Sequence, residues 1–336
     1  MSRRTLIWIA TTVGVVLFVL IGVVAAMLLR PPLDSNQTAQ STQSEFKGNV
    51  SDLSGGTISY RNLKGLTLRI NQIDTCNPKV ISAYVSVSAE SGDVNKNFSK
   101  NDVKVYLDGK QINNFEFNAV DSAKLPLANI LAIDHSGSMA GAAMDNAKSA
   151  ATTYIDKLNS SDQVGVLQFD SSVDILAPIS TDKQRAKSAI AGIEARGDTS
   201  MYDALNQSIN AVPNCGRKAV TILTDGTDTS SHSATEASVT AQAMKANLPI
   251  FAVGIKGSTF DATSIRQIAE KTGGQYLEAN TPSEISSLYG KIDSQLKGQF
   301  ATNLTVTIPK DGSSHTLKII SNIEGSETGS ERIFVY

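Results

Sequence analysis

Groups suited to redox and nucleophilic chemistry are scarce: the 336 residues hold two cysteines, three histidines and one tryptophan. Two cysteines are too few for a disulfide scaffold, and neither Cys76 nor Cys215 stands in a metal-ligand pair. An excess of charge of one sign is also missing, since 30 Lys and Arg face 32 Asp and Glu. With a net charge of -2 there is no basic field to hold a phosphate backbone, which excludes nucleic acid as a partner. What the chain does have is apolar content: 41% hydrophobic and 18% charged residues suffice for two ordinary domains and a short extra segment.

The longest apolar stretch comes first. Leu6 to Leu29 contains no charged residue, and as a helix these 24 residues would reach about 36 Å, enough for a hydrocarbon layer of about 30 Å. Arg3 and Arg4 precede it and only Arg30 follows, so the positive-inside bias places the N-terminus in the cytoplasm and the rest outside. A cleaved signal peptide is the competing reading, with "VVAAM" as a small-residue site, but the run exceeds the roughly 7 to 15 residues of a signal core. Either way the bulk is expected to be extracytoplasmic: a single-pass membrane protein, or a secreted one if the segment is cleaved. Cys76 and Cys215 are then free to meet in an oxidising compartment, with two unrelated thiols as the alternative.

Composition and periodicity divide the chain into a membrane anchor (1–30), a Ser/Thr/Gln-rich stalk (31–50), a strand-rich part (51–127), an α/β domain (128–297) and a second strand-rich part (298–336). In the first strand-rich part Val103, Val105 and Leu107 alternate before an Asp-Gly turn. From Ala128 short, almost wholly apolar runs ("LANILAID", "VGVLQF", "AVTILT", "IFAVGI") alternate with helical spacing, first at Met144, Ala147, Ala151, Tyr154, Ile155 and Leu158. Further helices are expected around 183–193, 202–212, 234–246, 261–271 and 282–299. Such alternation predicts a doubly wound, mostly parallel sheet covered on both faces. The last part is too short to fold alone and is expected to complete a β-sandwich with residues 51–127, the α/β domain being an insertion.

In open α/β sheets ligands bind beyond the carboxyl ends of the strands. "ILAID" ends there in Asp134, followed by Ser136 and Ser138 with Gly137 between them to let the loop bend. "AVTILT" leads to Asp225 in "TDGTD", and the loop "ARGDTSM" presents Thr199. With these loops the sequence resembles a von Willebrand factor A domain from about Asn129 to Leu296, "DHSGS" matching the Asp-x-Ser-x-Ser signature of the metal-ion-dependent adhesion site. Asp-x-Ser-x-Ser alone is a weak signal; joined to the Thr199 loop and "LTDG" it is strong.

The resemblance implies a Rossmann-like fold and a divalent cation, Mg²⁺ with Mn²⁺ and Ca²⁺ as alternatives, at Asp134, Ser136, Ser138, Thr199 and Asp225. The three hydroxyls would ligate, and the acids would largely hold bound waters. A hard cation of this kind takes oxygen ligands at about 2.0 to 2.1 Å, and neutral hydroxyls leave it electron-poor toward an incoming Asp or Glu carboxylate of a protein partner. The bland alternative is that "DHSGS" merely caps the next helix. His135 is read as a solvent-facing rim residue that shapes ligand choice, because "HSGS" lacks the Gly-x-Ser-x-Gly elbow of hydrolases. Asp198 joins the rim, standing where the family more often has Gly; the Arg196–Asp198 tripeptide "RGD" is a short match that is common by chance. Asp228 and Thr229 are rim residues or turn formers.

The expected function is adhesion or protein-protein interaction without catalysis. Two rivals are a structural subunit of an envelope or secretion assembly and a metal-assisted hydrolase, for which His135 is the sole candidate base.

Overall fold

The computed structural model describes residues 56–257 and 260–336. The apolar run Leu6–Leu29 and the stalk lie outside these residues, and among the described residues no helix is long and apolar enough to cross a membrane.

The α/β unit is built around β7 (Leu127–Asp134), every residue of which is buried. Its side chains alternate between two cores. Leu131 and Ile133 pack with α1 (Ala142–Lys157), α2 (Lys183–Ala191) and α6 (Ile285–Lys297), while Ile130 and Ala132 pack with α3 (Met201–Ala211), α4 (Glu236–Lys245) and α5 (Thr263–Lys271). Helices on both faces explain why the strand shows no polar alternation. Asn129 is the polar exception: its amide nitrogen donates to Tyr154 Oη at 2.7 Å and Thr221 Oγ1 at 3.0 Å, which satisfies all three groups in the core.

With β8 (Gln163–Phe169), β9 (Val173–Ser180), β10 (Arg217–Thr224), β11 (Ile250–Ile255) and β12 (Tyr276–Ala279), the sheet order is β12-β11-β10-β7-β8-β9. All neighbours are parallel except β8 and β9. The chain runs from β7 outward to β9 and then crosses to β10 on the other side of β7, so the topological switch point falls between β7 and β10. Strand β9 has no counterpart among the expected elements. It is a half-exposed edge strand containing Asp174 and Pro178, which break an apolar pattern and are tolerated where one edge needs no partner. The predicted helix at 282–299 is a 3-10 turn, Pro282–Glu284, followed by α6.

The remaining strands form two antiparallel sheets. One contains β1 (Thr57–Tyr60), β15 (Ser326–Val335), β14 (Ser314–Ile323), β4 (Val103–Leu107) and β5 (Lys110–Ile112), in that order. The other contains β2 (Leu66–Asp74), β3 (Val80–Ala89), β13 (Phe300–Thr305) and β6 (Phe115–Ala119). Their inner faces share a core that includes Leu68, Ile70, Val85, Val105, Leu317, Ile319 and Phe334. Strand β13, which follows the α/β unit, lies between β3 and β6, which precede it.

The junction between sandwich and α/β unit is dense in polar contacts. Arg217, at the start of β10, donates to Leu125 O at 2.7 Å and Leu296 O at 3.1 Å, tying together the entering and leaving chain. Gln72 of β2 donates to Gly216 O at 2.6 Å and accepts from Lys218 N at 3.0 Å. Arg332, fully buried, donates to Asn71 O at 2.7 Å and Thr272 O at 3.1 Å without a carboxylate, and burial lowers its pKa below the ordinary arginine value. Cys76 and Cys215 are disulfide-bonded across this junction, with Cα atoms 5.8 Å apart.

Candidate metal centre

The parallel register of β7 and β10 pairs Ile133 with Leu223, so Asp134 and Thr224 end their strands side by side at the switch point. Asp134 is completely buried. Its Oδ1 accepts from Ser136 N at 2.8 Å and its Oδ2 from Thr224 Oγ1 at 2.5 Å. The first bond folds the loop back over the strand end and brings Ser136 Oγ within 3.1 Å of Ser138 Oγ. Ser138 Oγ in turn donates to Asp225 Oδ1 at 2.7 Å. Thr199 arrives from the loop before α3. That loop is pinned by Gly137 N to Gly197 O at 3.0 Å and by Thr229 N to Thr199 O at 2.9 Å. A Cβ on Gly226 would stand 3.0 Å from Thr199 Oγ1, so the hydroxyl of this residue lies against the backbone that follows Asp225. Asp134, Ser136, Ser138, Thr199 and Asp225 thus come together from three loops.

This donor set suits a hard divalent cation. It consists of hydroxyl and carboxylate oxygens, and Thr199 Oγ1 makes no hydrogen bond among the described residues. The electrostatics agree. Burial raises the Asp134 carboxyl to about 6, opposed by the hydrogen bonds from Thr224 and Ser136, and the Asp225 charge adds to the rise. Asp225 is raised as well, chiefly by burial. Two neighbouring carboxylates without a cationic side chain leave a charge that a cation would neutralise.

His135 is not a solvent-facing rim residue. It is 1% exposed, because its N–H bonds Phe169 O at 2.9 Å and its carbonyl accepts from Arg196 N at 2.6 Å, which draws the residue into the sheet end. Its Nδ1 lies 2.8 Å from Glu194 O and so carries the hydrogen, while Nε2 faces Asp170 Oδ2 at 3.8 Å without a hydrogen bond. Asp228 accepts from Tyr202 N at 3.1 Å and Ser231 Oγ at 2.5 Å, the work of a cap on α3. Asp198 remains exposed, with Ser171 Oγ 3.4 Å from its Oδ2.

Sequence reasoning overlooked two participants: Thr224, visible only as a polar residue ending an apolar strand, and Asp170, whose Oδ2 accepts from Arg196 Nε at 3.0 Å. It also overlooked a Ser–His–Asp chain in the sandwich. Ser313 Oγ is 3.0 Å from His315 Nε2, and His315 Nδ1 is 2.8 Å from Asp108 Oδ2. Ser313 and Asp108 are exposed, and the Ser313 N–H that could serve an oxyanion is bound to Asp311 Oδ1 at 2.9 Å, so the arrangement reads as a pinned turn.

Residues 130–291 match the family described as von Willebrand factor type A domain, and the chain therefore carries such a domain. Among curated proteins it is 34% identical over 110 residues to the uncharacterized protein sll0103 of Synechocystis sp., covering 31% of this chain and 26% of that one. It is 29% identical over 119 residues to the inter-alpha-trypsin inhibitor heavy chain H4 of Bos taurus, covering 31% of this chain and 13% of that one. The chain thus spans about a quarter or less of these relatives. Among solved structures it is similar to a von Willebrand factor type A protein from Catenulispora acidiphila, with 13% identity, coverage of 83% and 72%, and a TM-score of 0.47.

Proposed function

We propose that the protein is a membrane-anchored, extracytoplasmic binding protein whose type A domain grips a partner protein through a divalent cation, Mg²⁺ in the first instance. When bound, the cation supplies affinity for an Asp or Glu carboxylate of the partner. Ser136, Ser138 and Thr199 would hold it with neutral oxygens, and Asp134 and Asp225 would balance its charge and orient its waters. Thr224 and the Ser136 N–H keep Asp134 in place for that task.

The observation that carries the reading is the meeting of three hydroxyls and two acids, from separate loops, at the switch point of the sheet. Burial of His135 speaks against a hydrolase, since a general base must reach a bound water. The extracytoplasmic setting is supported by the apolar run Leu6–Leu29 and by the Cys76–Cys215 disulfide, a bond that persists outside reducing compartments.

The test combines calorimetric titration of Mg²⁺ into the wild type and Ser138→Ala with capture of proteins from an extracellular extract, with and without chelator. Ser138→Ala should weaken Mg²⁺ binding by about tenfold or more, and both the variant and the chelator should release the same captured protein. A complex that survives both treatments would indicate a structural subunit of an assembly instead.

A further inference from the structure

We infer that the partner's carboxylate belongs to an extended peptide segment and that about three neighbouring residues of this segment lie in a cleft along α3; this rests on the cation-bridged reading above. The cleft, about 330 Å³, has Ser171–Val173 on one wall, the α3 side chains Asn206, Gln207 and Asn210 on the other, and Ser200 at its end. Its end adjoins the loop that presents Thr199 to the proposed metal site. Ser200 follows Thr199 in sequence, and Ser171 Oγ accepts from Asp198 N at 2.9 Å, so the loop presenting Thr199 forms its mouth.

The lining chooses the occupant. Asn206 and Gln207 are half-buried, and their amides have no hydrogen-bond partner among the described residues. Asn210 spends its carbonyl on Gln242 Nε2 at 2.8 Å and keeps its NH₂. A side-chain amide offers a donor and an acceptor side by side, the complement of a peptide backbone. The lining holds no cation and no aromatic ring, which leaves nothing for a second acidic group or for the flat face of a saccharide. From Asp203 to Asn210 the helix advances about 10 Å, the length of about three extended residues.

Charge narrows the choice further. Once a cation balances Asp134 and Asp225, Asp198 at the mouth and Asp203 in the wall remain negative. Asp203 spends its oxygens on the N–H groups of His232 and Ser233, at 2.9 and 3.0 Å, which holds it in place without neutralising it. Arg196 is engaged with Asp170. The segment beside the coordinated acid is therefore small, and neutral or basic.

The experiment uses the whole chain in Mg²⁺ with two peptide pools, acetyl-Asp followed by three varied positions and the reverse order, together with N-acetylaspartate amide and trigalacturonate. One pool should bind about tenfold or more tightly than N-acetylaspartate amide and select small polar or basic residues. Asn206→Ala/Gln207→Ala should abolish that gain while binding Mg²⁺ and N-acetylaspartate amide as the wild type does. The inference is overturned if the pools bind no better than the single residue, if the double variant binds them like the wild type, or if trigalacturonate binds more tightly. Equal binding by Ser138→Ala, or in chelator, would sink the cation-bridged reading itself.

Discussion

Asp134→Asn should make the metal-free protein more stable and the metal-loaded protein no better. The carboxyl of Asp134 moves from 3.8 to about 6 on folding. Below about pH 4 it is protonated in both states; between about pH 4 and pH 6 the unfolded chain gives up the proton and the folded chain does not, so stability falls as pH rises. Above pH 6 the loss is complete, roughly 3 kcal/mol at about 1.36 kcal/mol per unit. Asparagine removes this loss and preserves the contacts: its Oδ1 accepts from Ser136 N, and its amide donates to Thr224 Oγ1, which turns its own hydrogen to Gly226 O, 3.0 Å away. In chelator at pH 7.5 the thermal midpoint of the α/β unit should rise by roughly 6 to 12 °C, at about 2 to 4 °C per kcal/mol. Adding Mg²⁺ at about a hundred times its Kd should stabilise the wild type by about 2.7 kcal/mol and the variant hardly at all. Calorimetric scans at pH 4, 5, 6 and 7.5, with and without Mg²⁺, decide the matter. If Asp134→Asn lowers the midpoint in chelator, the buried carboxylate is not an unbalanced charge and the electrostatic argument for a cation is wrong.

Three further outcomes are expected from the fold. Cys76→Ser/Cys215→Ser opens a loop with a sequence separation of 139 and should cost about 2 to 4 kcal/mol in denaturant titration, read against the wild type with and without reductant. Gly273→Ala should destabilise by on the order of 2 to 3 kcal/mol, because φ is +86° and the new Cβ would meet Ile70 O at 2.6 Å and Asn71 O at 2.7 Å; hydrogen exchange should show the loss concentrated at the junction. Asn129→Leu leaves Tyr154 Oη and Thr221 Oγ1 without their shared partner in the core and should cost about 1 to 3 kcal/mol by chemical denaturation, with Mg²⁺ affinity nearly unchanged.

Local burial leaves a local signature. Strands β7, β10 and β11 were legible because both faces are covered and nearly every residue is apolar, whereas β9, exposed along one edge, carries no such run. The same logic applies to the site. Asp134, Ser136 and Ser138 sit within five residues of one loop, so their spacing alone suggests convergence. The role of Thr224 as donor to Asp134 depends on which strand lies beside β7 and in what register, and strand pairing has no local signal.

By itself, the sequence determined the periodicities, the apolar first segment and the polar loop at the end of β7, because each depends on neighbours a few residues apart. Tertiary structure alone decided that His135 turns inward, that Cys76 meets Cys215, and that β13 enters between β3 and β6. Those outcomes follow from contacts between segments far apart in the chain, whose free energy appears only once the sheets have formed.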